Sequence, residues 1–153
     1  MAERCGRRIR AGLAAHVFLF YFENEDTVTP VATATGHAGR AVAVGYAPGG
    51  ITISRSGATA YVTGTISGTV TPIDTRSGRA AAPVSVGRYR YPVGIALAPS
   101  GGTAVVLDGY AGRITLIDTR TDKAAAPIKV GRFPIAVAFA APFGSSFGLP
   151  FGR

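Results

Sequence analysis

A ten-residue pattern occurs three times along the 153 residues of this sequence. It occupies residues 27–36, returns 42 residues later at 69–78, and returns after a further 44 residues at 113–122. A period in this range predicts an array of similar structural units. The repeat indicates what the chain builds, and it leaves open what the chain does.

Each repeat contains four short runs of β-type sequence separated by turn signals. In the second repeat these runs are residues 50–54, 59–63, 69–74 and 83–87. Apolar and polar residues alternate in the first run, as in a half-buried strand. Pro72 cannot donate to a β-ladder, so its strand should be bulged or near an edge. Four antiparallel strands at this period predict an all-β fold built from β-propeller blades.

A helical repeat of similar length is excluded, because no window shows a 3.6-residue apolar period and Gly or Pro recurs too often. The short connections suit hairpins, which disfavours a parallel β-helix. Only 16% of the residues are charged, and 21 are Gly. This composition also favours an all-β protein.

The formal net charge is +8, with 16 Lys and Arg against eight Asp and Glu. The basic residues form no single stripe after the first ten positions, so we expect no nucleic-acid partner. The single Cys5 excludes a disulfide within the chain and says little about compartment. No apolar stretch is long enough for a transmembrane helix.

The repeats divide the chain into a core and two different ends. Residues 1–16 are basic and resemble a degenerate export signal, although Glu23 to Asp26 follow where a cleavage site would lie. Residues 17–21 align with 59–63, which favours a strand there. We expect propeller repeats over residues 17–140, followed by a disordered Gly-, Phe- and Pro-rich tail over 141–153. The expected divisions of the core are a partial blade over 17–45, blades over 48–91 and 92–133, and a lone inner strand over 134–140.

Several segments of the repeat resemble the YVTN-family β-propeller repeat, over about residues 17–140. They are residues 61–64 (Tyr-Val-Thr-Gly), 69–75, 92–101 and 127–131. Gly64 and Asp108 stand where the family has Asn, and residues 105–107 depart from its Tyr-Val-Thr portion. The resemblance implies a bacterial or archaeal propeller of about seven blades, often exported or surface-associated. Most members have no defined activity, and relatives resemble lactonase and quinoprotein propellers.

The repeats supply about three blades, and a closed single-chain propeller normally needs at least four. One explanation is that the sequence is a fragment of a longer propeller. The other is self-association, in which the last inner strand of one chain completes the first blade of another and two chains give six blades. Open blade edges favour aggregation in either case.

Candidate ligand-binding residues lie on the loops that should surround the central channel. Two kinds of loop share that face: those joining the outer strand of one blade to the inner strand of the next, and those joining the second and third strands. Guanidinium groups on these loops suit carboxylates and other anions. The alternative is that they are solvated loop residues whose aromatic neighbours pack between blades. The candidates are Arg88, Arg90, Tyr91, Asp108, Tyr110 and Arg132, with Tyr89 and Phe133 beside them.

The sequence offers few groups for catalysis. Asp74 and Asp118 occupy equivalent positions of two blades, so we expect them to form turns and not an acid–base pair. His16 and His37 lack companions at metal-binding spacing. We therefore predict no catalytic residue, no metal site and no cofactor.

The sequence predicts a non-catalytic β-propeller repeat protein, or a fragment of one, whose blade surfaces bind a protein or small ligand. The alternative is a fragment of a lactonase-like or quinoprotein-like propeller enzyme. A third possibility is an exported surface or scaffold protein. The compartment and the ligand stay open.

Overall fold

The computed structural model describes residues 16–20, 26–87 and 91–139, with only the backbone described over 16–20. Every regular element in these ranges is a β-strand. The predicted all-β fold class is therefore confirmed. The expectations for the basic N-terminal segment, Cys5 and the tail over 141–153 lie outside the described residues.

The strands form three antiparallel sheets in which neighbours in sequence are mostly neighbours in space. The first sheet contains β1 (His16–Phe20), β2 (Thr27–Ala32) and β3 (Val42–Ala43). The second contains β4 (Pro48–Ile53), β5 (Thr59–Gly64), β6 (Thr69–Asp74), β7 (Arg79–Ala80) and β8 (Val84–Ser85). The third contains β9 (Pro92–Leu97), β10 (Thr103–Asp108), β11 (Arg113–Asp118), β12 (Lys123–Ala124) and β13 (Ile128–Lys129).

The outer strand of each full blade is interrupted. In the second sheet β7 and β8 both pair with β6, where Ile73 lies opposite Ala80 and Val70 lies opposite Val84. Three steps along β6 thus match four steps along the outer strand, which leaves one extra residue as a bulge. The third sheet has the same offset. The outer strand therefore starts at Arg79, earlier than the predicted run over 83–87, and it is split in two.

Pro72 lies beside this bulge. Its carbonyl accepts a hydrogen bond from the amide of Ala81 at 2.8 Å. In an antiparallel strand the N–H and C=O of one residue point to the same side, so the missing N–H of Pro72 would also face the outer strand. The ladder is already broken there, and Pro83 in the bulge has no N–H to donate. The strand of Pro72 is thus next to the edge of its sheet, as one of the two predicted alternatives required, and the bulge lies in the neighbouring outer strand and not in β6 itself.

The sheets pack face to face through two apolar clusters. The first cluster joins the first and second sheets and consists of Val28, Val42, Ala60, Val62 and Ile73. The second joins the second and third sheets and consists of Tyr61, Val70, Val84, Val86, Ala104, Val106 and Ile117. Alternate residues of β5 therefore point to opposite neighbours, as the two-residue period of a strand requires. This stacking of twisted sheets is the arrangement of propeller blades.

The turns after β6 and β11 are organised by aspartates, as predicted. Oδ1 of Asp74 accepts hydrogen bonds from the backbone and hydroxyl of Ser77, each at 2.7 Å. Oδ1 of Asp118 accepts from the amide of Arg120 at 2.8 Å. The next residue in each repeat, Thr75 or Thr119, donates its hydroxyl to a glycine carbonyl of the preceding hairpin turn in the same sheet. The repeated sequence thus produces a repeated set of local bonds.

Two backbone expectations differ from the structure. His16 pairs with Ala32, and the equivalent pair in the second sheet is Thr59 with Asp74, so β1 is shifted by one residue from the alignment of 17–21 with 59–63. Local sequence cannot fix such a shift, because register is set by pairing across strands. Within residues 134–139, where an inner strand was expected, the structure contains no strand. A segment becomes a strand only when a partner edge is within reach, and β1 is not paired with it. No helix in the described part of the chain is long and apolar enough to cross a membrane.

Candidate ligand-binding site on the loop face

The loops predicted to share one face do contact each other. The amide of Thr65, between β5 and β6, donates to the carbonyl of Ala47 before β4, at 2.8 Å. The hydroxyl of Thr65 donates to the carbonyl of Pro92, in the next blade, at 3.1 Å. In the third blade, the amide of Gly109 donates to the carbonyl of Tyr91 at 3.3 Å. We call this surface the loop face; it comprises residues 44–47, 64–68, 91, 108–112 and 131–133.

The residues before β4, before β9 and before the segment 134–139 have left-handed backbone geometry. The φ angles are 53° at Ala47, 46° at Tyr91 and 53° at Phe133. These residues occupy equivalent positions, each directly before a proline. Left-handed geometry is uncommon for residues other than Gly and costs free energy. Ala47 has the same left-handed geometry without an aromatic side chain. The geometry is therefore a property of the repeated backbone, and aromatic side chains occur at two of the three positions.

Three aromatic rings lie together on the loop face. The ring of Tyr110 lies 5.8 Å from that of Tyr91 and 6.4 Å from that of Phe133, measured between centroids. The planes are inclined at 49° and 83°, respectively. These values fall in the range of favourable tilted and edge-to-face pairs. All three rings are nevertheless exposed, and Tyr110 most of all, at 74%. We call them the aromatic group.

A cleft of about 440 Å³ lies beside two of these rings. Its walls include the rings of Tyr110 and Phe133 and the cationic side chains of Lys129 and Arg132, with no acidic residue in the lining. The volume is within the range of small-ligand sites. Aromatic surface next to uncompensated cations can hold a flat group that carries a carboxylate or another anion.

Asp108 lies at the end of β10, next to the loop whose residues 110–112 line this cleft. Its side chain is buried, at 3% exposure, and Oδ1 accepts a hydrogen bond from the amide of Ala111 at 2.9 Å. The loop that carries Tyr110 is therefore held in shape by this carboxylate. The other oxygen, Oδ2, is buried without a hydrogen-bond partner among the described residues. An unpaired buried carboxylate oxygen is costly, so it marks Asp108 as more than a surface turn residue.

The predicted site residues thus fall into three groups. Tyr91, Tyr110 and Arg132 are brought together on the loop face, and Asp108 is buried at the start of the loop that carries Tyr110. Arg88 and Arg90, together with Tyr89, lie outside the described residues. The candidate set lacked Lys129, because it lies on an outer strand and reaches the cleft only through the pairing of β13 with β11.

A second cleft, on the opposite side of the blades, was not predicted. It has a volume of about 600 Å³ and lies between the first and second sheets. Its lining contains Arg40, Arg76 and Arg79 and no acidic side chain. All three arginines are exposed, as is His37 in the preceding turn. In the sequence, a basic residue stands at each end of the turn from 76 to 79. The cleft itself could not be predicted from this pattern, because it forms only where two adjacent sheets pack together.

Across the residues that the structure describes, no three His, Cys, Asp or Glu side chains form a group that could hold a metal ion. The predicted turn residues Asp74 and Asp118 are exposed. Formation of those turns lowers the pKa of both carboxyls, chiefly through hydrogen bonds from the backbone.

Comparison with known proteins supports the fold. No family model matches the sequence, and no curated relative matches it significantly. The solved structures that resemble it include hydrazine synthase of Kuenenia stuttgartiensis, with a TM-score of 0.72 and 25% identity over 78% of this chain and 34% of that one. Apo AztD from Citrobacter koseri has a TM-score of 0.64 and 21% identity, over 78% of this chain and 33% of that one. Virginiamycin B lyase from Staphylococcus aureus has a TM-score of 0.64 and 16% identity, over 76% and 38%.

These proteins are β-propellers, and their names include a synthase and a lyase. The chain spans about a third of the length of these structures. The three sheets are therefore blades of the β-propeller fold.

Proposed function

We propose that this chain is a non-catalytic β-propeller repeat protein, or a fragment of one, of the YVTN type. In this proposal the loop face binds an anionic group of a protein or a small ligand. The observation that carries the proposal is the meeting of two rings of the aromatic group, Tyr110 and Phe133, with Arg132 and Lys129 around one cleft. Exposed tyrosine and arginine side chains are also the residue types enriched at binding hot spots.

The geometry supports recognition through two kinds of contact. Tyr110 and Phe133 form an edge-to-face pair, and the solvent-facing surface of either exposed ring can stack on a flat group. Arg132 can donate two parallel hydrogen bonds to a carboxylate, and Lys129 adds a second positive charge. The buried carboxylate of Asp108 fixes the loop, so little ordering is needed when a ligand binds.

Benzoate is a suitable probe, because it combines a flat ring with a carboxylate. Titration followed by NMR chemical shifts should perturb residues 108–112 and 131–133. The Tyr110→Ala variant should weaken binding at least about fivefold, equivalent to about 1 kcal/mol. Its matched control is Ile66→Ala, since Ile66 occupies the equivalent position in the second blade and is also exposed.

A second pair of variants tests how much the positive charge of Arg132 contributes to benzoate binding. Arg132→Gln should weaken benzoate binding and reduce its decrease with added salt, because only Lys129 then remains in the cleft, whereas Arg76→Gln, on the opposite cleft, should change neither. Equal effects of the two arginine variants, or shifts confined to other surfaces, would contradict a specific site on the loop face.

The enzyme alternative, a lactonase-like or quinoprotein-like propeller, has one observation in its favour. Asp108 keeps a buried oxygen without a partner, and buried polar groups of this kind often belong to functional sites. Hydrolysis of the simple lactone dihydrocoumarin by the wild-type chain, lost in Asp108→Asn, would favour this alternative. No hydrolysis above the buffer rate is the result expected from the binding proposal.

A further inference from the structure

The third sheet has an apolar face that points away from the second sheet. Along β10, Ala104 and Val106 point into the shared cluster, so Val105 between them points the other way. Ile114 on β11 lies on this same side, next to Ile128 on β13. We call this surface the outer face; it consists of Val105, Ile114, Ile128 and Val130.

The equivalent surface of the second sheet is an interface between blades. Its residues are Tyr61, Val70, Val84 and Val86, and they are 4%, 0%, 8% and 7% exposed because the third sheet covers them. On the outer face, Ile128 is 48% exposed and Val130 is 50% exposed. The first sheet repeats the pattern, since Val28 and Val42 are buried against the second sheet. Val105, the equivalent of Tyr61, is only 7% exposed, and Ile114 is partly buried. The position of Ile128 is therefore covered by a neighbouring blade in the first two sheets, at Val42 and Val84, and open in the third.

On the first sheet, the side that faces away from the second sheet lacks a covering blade. Ile73 and Ile117 are fully buried where their sheets receive the preceding blade. Val31, the equivalent residue of the first sheet, is only partly buried. In addition, β1 is an edge strand in the described part of the chain, whereas its equivalents β5 and β10 carry the inner strands β4 and β9.

Residues 134–139 match the inner strand in sequence. They read Pro-Ile-Ala-Val-Ala-Phe, against Pro-Val-Gly-Ile-Ala-Leu in β9. They nevertheless form no strand, and Ile135 is 86% exposed. A strand-like apolar segment without a partner can pair with an unpaired strand edge through backbone hydrogen bonds.

We propose that the outer face and the β1 edge are two parts of one interface, and that the occupant is a second copy of this chain. The first sheet of the second copy packs on the outer face as the next blade, and residues 134–139 pair with its β1 edge. The reciprocal contacts about a twofold axis then close a ring of six blades, a number common among propellers. This inference goes beyond the binding proposal and does not depend on it.

A second copy, related by one twofold rotation, would cover the outer face, pair with the β1 edge and give residues 134–139 a partner strand. The contact it makes continues an interface that the chain already forms twice, with the same residue types at the same positions. A fourth blade from a longer polypeptide would cover the outer face as well, and the experiments below use the 153-residue chain so that the two occupants are distinguished.

The first experiment measures mass in solution by sedimentation equilibrium at micromolar concentration. We expect twice the 15.6 kDa of one chain. The Val130→Asp variant should shift the dissociation constant at least about tenfold, whereas Ile66→Asp should not, although both side chains are 50% exposed. Circular dichroism identifies any variant that fails to fold. A monomer, or an open-ended series of larger assemblies, would overturn the proposal.

The second experiment tests the pairing itself. By equivalence with the pairing of Ala96 and Val105, residue 138 of one copy should lie opposite residue 18 of the other. In a Cys5→Ser background, mixing Phe18→Cys chains with Ala138→Cys chains under oxidation should give a crosslinked heterodimer. Mixing Ser56→Cys with Ala138→Cys is the control. Equal crosslinking in both mixtures would refute strand exchange.

Discussion

Asp74 and Asp118 illustrate how a carboxylate can serve as a structural part of a turn. Each is exposed, yet the pKa of each lies below its ordinary value, because backbone amides and a neighbouring side chain donate hydrogen bonds to the ionised form. For Asp74 the largest contribution comes from the amide of Ser77. A lowered pKa means that the folded state binds the proton less readily than the unfolded state, so ionisation favours folding.

This sign gives a pH-dependent prediction for Asp74. The stability that its charge provides is present above the ordinary aspartate pKa of about 3.9, and it is lost as the pH falls through the lower folded pKa. Asp74→Ala should therefore be less stable than wild type at neutral pH, and the difference should shrink below about pH 4. Urea unfolding across this range provides the measurement. Asp74→Asn, which keeps an acceptor oxygen, is the control and should lose less; a pH-independent difference for Asp74→Ala would contradict the argument.

At the scale of elements, the loop face depends on backbones that approach one another closely. Gly112, at the end of the loop from β10 to β11, has a φ of 62°. A methyl group built on it would overlap the carbonyl of Gly131, which follows the outer strand. The carbonyl of Gly112 also accepts the amide of Val130 at 3.0 Å. This residue therefore joins the middle of the third sheet to its outer strand at the base of the cleft.

A comparison of two glycines separates the cost of the close approach from that of the backbone angle. Gly101 has a φ of 77°, but a methyl group there would meet nothing within 4 Å. Gly101→Ala should cost about 1 kcal/mol of unfolding free energy, and Gly112→Ala about 1–3 kcal/mol more. Denaturant titration gives both values. Gly112→Ala should also reduce benzoate binding, since it displaces Arg132. Equal losses of unfolding free energy from the two substitutions would show that the backbones at Gly112 and Gly131 can move apart without cost.

For the whole molecule, the important feature is that the two clusters between sheets are built from equivalent positions. Ile73 belongs to one and Ile117 to the other, and both have 0% exposure. Stability in such an array is a sum of the stabilities of its units and of the contacts between neighbours. Tyr61 adds a polar link between the second and third sheets, because its hydroxyl donates to the carbonyl of Thr119 at 3.5 Å.

Equivalent clusters should respond equally to equivalent substitutions. Ile73→Val and Ile117→Val should each reduce the unfolding free energy by about 1 kcal/mol, because each removes one buried methylene from a packed interface. Ile53→Val, at a half-exposed strand position, is the matched control and should change stability by less than about 0.5 kcal/mol. A large loss at one cluster and none at the other would show that the sheets are not coupled as equivalent blades.

Much of the fold could be predicted because it is encoded locally. The alternation in β5, the aspartate turns after β6 and β11, and the glycines of the hairpins each act over a few residues. The repetition of these signals identified the propeller architecture, since three similar units must stack to bury their apolar faces. The placement of Tyr91, Tyr110 and Arg132 on a shared face followed from the same topology.

The remaining features depended on contacts between distant residues. The one-residue shift of β1 came from pairing across strands, and the missing strand over 134–139 from the lack of a partner within reach. Lys129 joined the cleft through the pairing of β13, and the clustering of Arg40 with Arg76 and Arg79 required two sheets to pack. The sequence alone determined the blades and their turns, because their periodicity and turn chemistry are local. Only the tertiary structure decided which edges, clefts and faces stay open, because these are set by how neighbouring sheets meet.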